Sequence, residues 1–193
     1  MDMIERLEST SFLGKEFLTW LWYRSESQSG LFELGSGRDS MEVWFMDRLT
    51  LSGAGQSGTR VAVRAEEPGA SGESRTALRV GKKVEQACLR IVCNQREWVV
   101  TLTGESLSMS SIKIPAIMTR EEDDQLFERF HLLDQLDEMI RELYLAFLTL
   151  RLAGEEWSAE VEKIRLWVAE GTEAAALNMI YFVPPLTHWP GTW

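Results

Sequence analysis

Six basic side chains fall in two short stretches of the sequence, and they are the residues best suited to hold an anion. Arg60 and Arg64 alternate with Val61 and Val63, so on a strand the two arginines share one face and the valines the other. Arg75, Arg79, Lys82 and Lys83 follow on a short helical segment, Ser74 to Val80, and on its exit past Gly81. Arg90 has the parity to join them. Several guanidinium and ammonium groups on one surface can contact backbone phosphates, which require no fixed spacing. The competing account is a solvated face whose cations offset acidic helices elsewhere in the chain.

Other chemistry has fewer carriers. Cys88 and Cys93 are an odd number of residues apart, so on one regular strand they face opposite sides and cannot share a zinc ion. His131 and His188 lie in no metal-ligand spacing, and no Ser-His-Asp or Cys-His motif surrounds either. Glu121, Glu122, Asp123 and Asp124 could gather Mg²⁺ for a nuclease. Consecutive helical residues, however, point about 100° apart, so a dipole-matched first turn explains them better. No phosphate-binding glycine loop is present; Gly35, Gly37, Gly53 and Gly55 read as ordinary turns. Trp20, Trp22 and Tyr23 could stack on bases, but their helical spacing favours packing.

The elements that must position these groups follow from periodicity. Leu13, Phe17, Trp20, Leu21 and Arg24 recur at helical spacing after the hydroxyl run Ser9–Ser11, which supplies cap candidates. From about residue 40 the period becomes two. Met41 to Leu51 predicts one long strand, or two joined near Asp47 and Arg48. Val61 and Val63 mark another, and Val84–Cys93, Glu97–Thr103 and Leu107–Ile114 follow across short reversals. Strands in such close succession predict an antiparallel meander. Thr119–Glu122 has capping-box form and opens a long helix to Leu152. Leu126, Leu133, Leu136, Ile140, Leu143, Phe147 and Leu150 form its apolar seam. A further helix, Glu155–Glu170, stops at Gly171, and the apolar tail Leu177–Val183 is expected to dock on the body or on a partner chain.

The 193 residues carry 30 acidic and 20 basic side chains, a net charge of −10. The imbalance is uneven: residues 59–100 hold eight basic and five acidic groups, residues 121–170 five and fourteen. A local anion site is compatible with this; strong nonspecific attraction to nucleic acid by the whole surface is not. Eight Trp and eight Phe exclude a disordered chain, and no apolar run approaches the length of a membrane span. Met1–Glu8 lacks the stretches of a secretory signal and two cysteines make no disulfide framework, so a cytoplasmic location is expected.

The stretch Phe12–Glu26, with Leu13-Gly14-Lys15-Glu16-Phe17-Leu18 followed by Trp20-Leu21-Trp22, resembles the opening of short bacterial proteins classed with the recombination-associated protein RdgC. Val43–Leu51, Ser74–Val84 and Leu132–Met139 fit the same resemblance, which runs with gaps from about residue 9 to 152. It implies a DNA-binding accessory of recombination; longer members form ring-shaped homodimers that hold duplex DNA without sequence preference and restrain the RecA recombinase.

Together these readings predict an α+β fold, an antiparallel meander with an N-terminal helix and long C-terminal helices. Residues 1–153 would form one domain, and residues 154–193 a helix with a docking tail. The expected function is non-enzymatic, sequence-nonspecific DNA binding that modulates recombination, without cofactor or metal. Arg60, Arg64, Arg75, Arg79, Lys82 and Lys83 would contact phosphates. A homodimer would form through Leu133, Leu136, Ile140, Leu143 and Phe147. The alternatives are an acidic protein–protein adaptor or DNA mimic, and a metal-dependent nuclease using Asp123 or Asp124.

Overall fold

The alternating stretch Met41–Ser52 becomes the longest strand of a six-stranded antiparallel sheet. The structure, a computed structural model, describes residues 3–33, 40–53, 59–64 and 71–181, with side chains at 13–33, 40–53, 59–64 and 71–169. In chain order the elements are α1 (Met3–Ser27), β1 (Leu31–Phe32), β2 (Met41–Ser52), β3 (Arg60–Arg64) and α2 (Gly72–Arg79). They continue with β4 (Lys83–Cys93), β5 (Arg96–Thr103), β6 (Ser108–Lys113), α3 (Glu122–Leu152) and α4 (Gly154–Tyr181). This is the α+β architecture that the sequence predicts.

β2 is continuous. Its register against β4 shifts between Phe45 and Leu49, the point at which the sequence allowed a break. β1 and β3 pair with the two ends of β2 along one edge, while β4 lies on the other side and leads into the meander β4–β5–β6. The β4–β5 turn uses Asn94 and Gln95 at φ 50° and 62°, the left-handed pair that a two-residue hairpin needs. Along β4, Ala87, Leu89 and Ile91 are fully buried beneath the helices, whereas Gln86, Cys88, Arg90 and Val92 on the other face are half-buried. The odd spacing of the cysteines has the effect expected of it: Cys93 is buried on the core face and Cys88 lies on the other.

α1 fills the middle of the molecule. Phe17, Leu18, Leu21, Trp20, Trp22 and Tyr23 are all buried, so this helix is apolar almost all round. Phe17 meets Tyr144 and Phe147 of α3, and Trp22 meets Trp167 of α4, while Thr19 accepts the Val84 N–H of β4. The tryptophans are therefore core. Leu136, Ile140, Leu143 and Phe147, expected as a dimer interface, are likewise buried in the chain's own core, with Leu133 half-buried at its margin. The apolar stripe of α3 is where the sequence places it, and α1 and α4 of the same chain cover it.

Two helix limits also differ from expectation. α1 begins before Ser9–Ser11, which are helical in backbone and do not cap it, and α4 continues through Gly171 to Tyr181. The proposed docking of Leu177–Val183 falls on side chains outside the described residues. Among the described residues, no helix is long and apolar enough to cross a membrane.

One close approach fixes α1 against the sheet. A Cβ on Gly14 would lie 1.6 Å from the carbonyl oxygen of Gly104, whose N–H is bonded to Glu85 O at 2.7 Å. Gly14→Ala is expected to cost about 1–3 kcal/mol, lowering Tm by roughly 2–4 °C per kcal/mol. Gly154→Ala, whose new methyl meets nothing, is expected to stay within about 0.5 kcal/mol of the parent in thermal unfolding.

Candidate nucleic-acid interface

The six predicted cations separate into different environments. Arg75 leaves the surface altogether. It lies on the buried side of α2 with Ser74, Ala77 and Leu78, and only 6% of the residue is exposed. Its Nη2 donates to Glu26 Oε2 at 2.5 Å and its Nη1 to the Trp167 carbonyl at 2.9 Å, with the guanidinium 3.9 Å from a Trp167 ring centre. Glu26 also accepts the indole N–H groups of Trp22, at 2.7 Å, and Trp167, at 2.9 Å. Burial draws the Arg75 pKa below its ordinary value and the Glu26 carboxylate pushes it back up; an arginine remains charged throughout. This side chain ties α1, α2 and α4 together and is removed from the set of phosphate contacts.

Lys83 is half-committed. Its Nζ donates to Glu16 Oε1 at 2.7 Å, and Arg151 Nε reaches the other Glu16 oxygen at 3.1 Å. Desolvation lowers the Lys83 pKa, opposed by the hydrogen bond and charge of Glu16. Arg60 is exposed but forks onto the buried Glu85, with Nε 3.0 Å and Nη2 2.5 Å from its two oxygens. Lys82 donates to the Thr59 carbonyl and, at 2.7 Å, to its hydroxyl. Arg79 and Arg64 point to solvent. Arg64 sits directly opposite Arg48 across β2 and β3, a like-charged pair that an anion would relieve.

The structure brings three of the six to one place. Arg79, Lys82 and Lys83 line a groove of about 420 Å³ between the end of α2 and the middle of α4. A fourth cation, Arg165 of α4, completes the lining, which includes no carboxylate. Leu78, Ile164 and Val168 supply apolar wall. Arg60 adjoins this end of the molecule, because it and Lys83 are registered on Ser52 from opposite sides. Arg64 lies four residues further along β3, roughly 13 Å away at strand rise. Arg90 does not join: it pairs with Glu97 at 2.7 Å beyond Trp44, its partner on β2.

Sequence reasoning missed Arg165, because only the packing of α4 on α2 brings it there. Arg48 lies outside the basic stretch 59–100 and joins Arg64 only through the pairing of β2 with β3. Asp123 and Asp124 are exposed in the first turn of α3, and among the described residues no three His, Cys, Asp or Glu side chains converge as metal ligands. His188 lies outside the described residues. Comparison with known proteins finds no matching family model and no match among curated proteins.

Removing Arg75 takes the donor from the Trp167 carbonyl and the charge partner from Glu26, whose side chain is about one-third exposed and keeps both indole N–H groups. Arg75→Ala is accordingly expected to cost about 1–3 kcal/mol in urea unfolding, whereas Arg79→Ala, four residues on, is expected to cost less than about 0.5 kcal/mol.

Proposed function

We propose that this protein is a non-enzymatic accessory that binds DNA through backbone phosphates, without reading sequence, and modulates recombination in the manner that its resemblance to the RdgC proteins implies. The observation that carries the proposal is the groove between α2 and α4, where Arg79, Lys82, Lys83 and Arg165 converge with no carboxylate in the lining. Glu16 and Glu162 answer Lys83 and Arg165, while Arg79 and Lys82 form no ion pair among the described residues, so the groove keeps a positive field on a chain of net charge −10. Phosphate is the anion such a site suits, because arginine forks and lysine point charges both match its oxygens.

Arg79 and Lys82 make the outer contacts in this reading. Lys83 and Arg165 contribute field while held by Glu16 and Glu162. Arg60 and Arg64 extend the surface along β3, and Arg48 joins them through its position opposite Arg64. Arg75 contributes by holding α4 in place. The acidic residues of α3 disfavour a wrapped duplex, so binding is confined to the groove end.

Four phosphate contacts, by Arg79, Lys82, Arg60 and Arg64, imply a log–log salt slope of about −3.6, or about 10²-fold weaker binding between about 50 and 200 mM salt. Titration of labelled duplex and single-stranded DNA over that range is expected to show this dependence with little effect of sequence. Arg79→Glu with Lys82→Glu should weaken binding and flatten the slope by about two contacts, while Arg90→Glu should change neither. Saturable binding that ignores the double reversal would overturn the assignment.

A further inference from the structure

The first turns of α3 carry an apolar face that the fold does not use. Phe127 and Phe130 are 70% and 57% exposed, with Leu126 at 52% beside them and Met118 at 81% just before the helix. At about 100° per residue, Phe127 lies almost opposite the stripe formed by Leu132, Leu136 and Leu143, which is buried in the chain's own core. It cannot turn inward without withdrawing that stripe. The chain leading to it is held in place: the Glu128 carboxylate accepts the Met118 N–H at 3.0 Å, and the Thr119 N–H and hydroxyl at 3.0 and 2.7 Å. These bonds hold the Glu128 carboxyl below its ordinary pKa.

Charge surrounds the exposed rings with one sign. Asp123 precedes Phe127 by one turn and Asp134 follows Phe130 by one turn; Asp124 and Asp137 flank the same face. All four are exposed, and none of them forms an ion pair with a described residue. Between residues 118 and 138 the chain holds eight carboxylates and two arginines. An anionic lipid surface and a nucleic acid would both be repelled by this face.

We propose that the outward face of the first turns of α3 is a docking surface for a protein partner that presents an apolar helix face flanked by lysine and arginine. Aromatic side chains this exposed are covered by a partner's apolar face, and the surrounding carboxylates select a basic flank. The mode is one amphipathic helix packed on another, with anchors at i, i+1 and i+4. This surface is separate from the groove between α2 and α4, and the inference does not depend on DNA binding.

The test is a titration of the full chain with a labelled amphipathic Leu/Lys helical peptide, against a Leu/Glu peptide and a Ser/Lys peptide of the same length and charge magnitude. The Leu/Lys peptide is expected to bind saturably, the Ser/Lys peptide at least about tenfold more weakly and the Leu/Glu peptide not at all. Phe127→Ser with Phe130→Ser should weaken Leu/Lys binding about tenfold or more while leaving circular dichroism and Tm near the parent, because neither ring is in the core. Asp123→Asn with Asp134→Asn should weaken it as well, and Arg79→Glu with Lys82→Glu should not.

Absence of binding, or equal binding by the Phe127/Phe130 variant or the Ser/Lys peptide, would overturn the proposal. Two other results would assign the face to a different occupant and overturn it too. One is self-association in sedimentation that Phe127→Ser and Phe130→Ser abolish. The other is binding that emerges only in a Phe182→Ser, Trp189→Ser chain.

Discussion

The pairing of the buried Arg75 with Glu26 is the contact on which the arrangement of the helices depends. Four groups meet there from three elements: Trp22 and Glu26 of α1, Arg75 of α2 and Trp167 of α4. A desolvated guanidinium is tolerable only where its charge and donors are answered, and here a carboxylate, a carbonyl and an indole face answer them. The same carboxylate satisfies both indole N–H groups, so no member can leave without stranding another. Through Trp167 this cluster sets the position of α4 against α2, and that position forms the groove. An ionic contact thus determines the site without belonging to it.

Three further carboxylates of low exposure have a similar use. Glu16 bridges Lys83 and Arg151, joining α1 to β4 and α3; Glu160 receives Arg24 and Lys163; Glu85 receives Arg60. These pairs consume basic residues that the sequence alone displays as free. The acid left over collects on the outward side of α3, while Arg79 and Lys82, in no ion pair among the described residues, lie at the α2–α4 end. A net charge of −10 therefore conceals two surfaces of opposite sign. The first is suited to a basic protein and the second to phosphate.

The α+β class, the meander and the strand parities were legible because a single sheet with one buried face writes period two into its sequence. The Asn94–Gln95 reversal was legible because few residue pairs adopt positive φ together. The stripe of α3 was legible as apolar, but periodicity does not say what covers it, and α1 in the same chain does. Arg75 and Arg79 could not be told apart on a short helix: the partners that absorb Arg75 lie 49 and 92 residues away in sequence. Arg165 was invisible for the same reason. The run of α4 through Gly171 shows the limit of glycine as a stop signal, since a helix interior tolerates it at a cost of about 1 kcal/mol.

The most direct measurement of the central claim, that phosphates are held between α2 and α4, is amide hydrogen exchange with and without saturating duplex DNA at low salt. The account predicts slowed exchange in residues 78–83 and 164–169, with the outward turns of α3 unchanged. Slowing confined to α3 or to the half-exposed face of the sheet, with 78–83 and 164–169 unaffected, would contradict it.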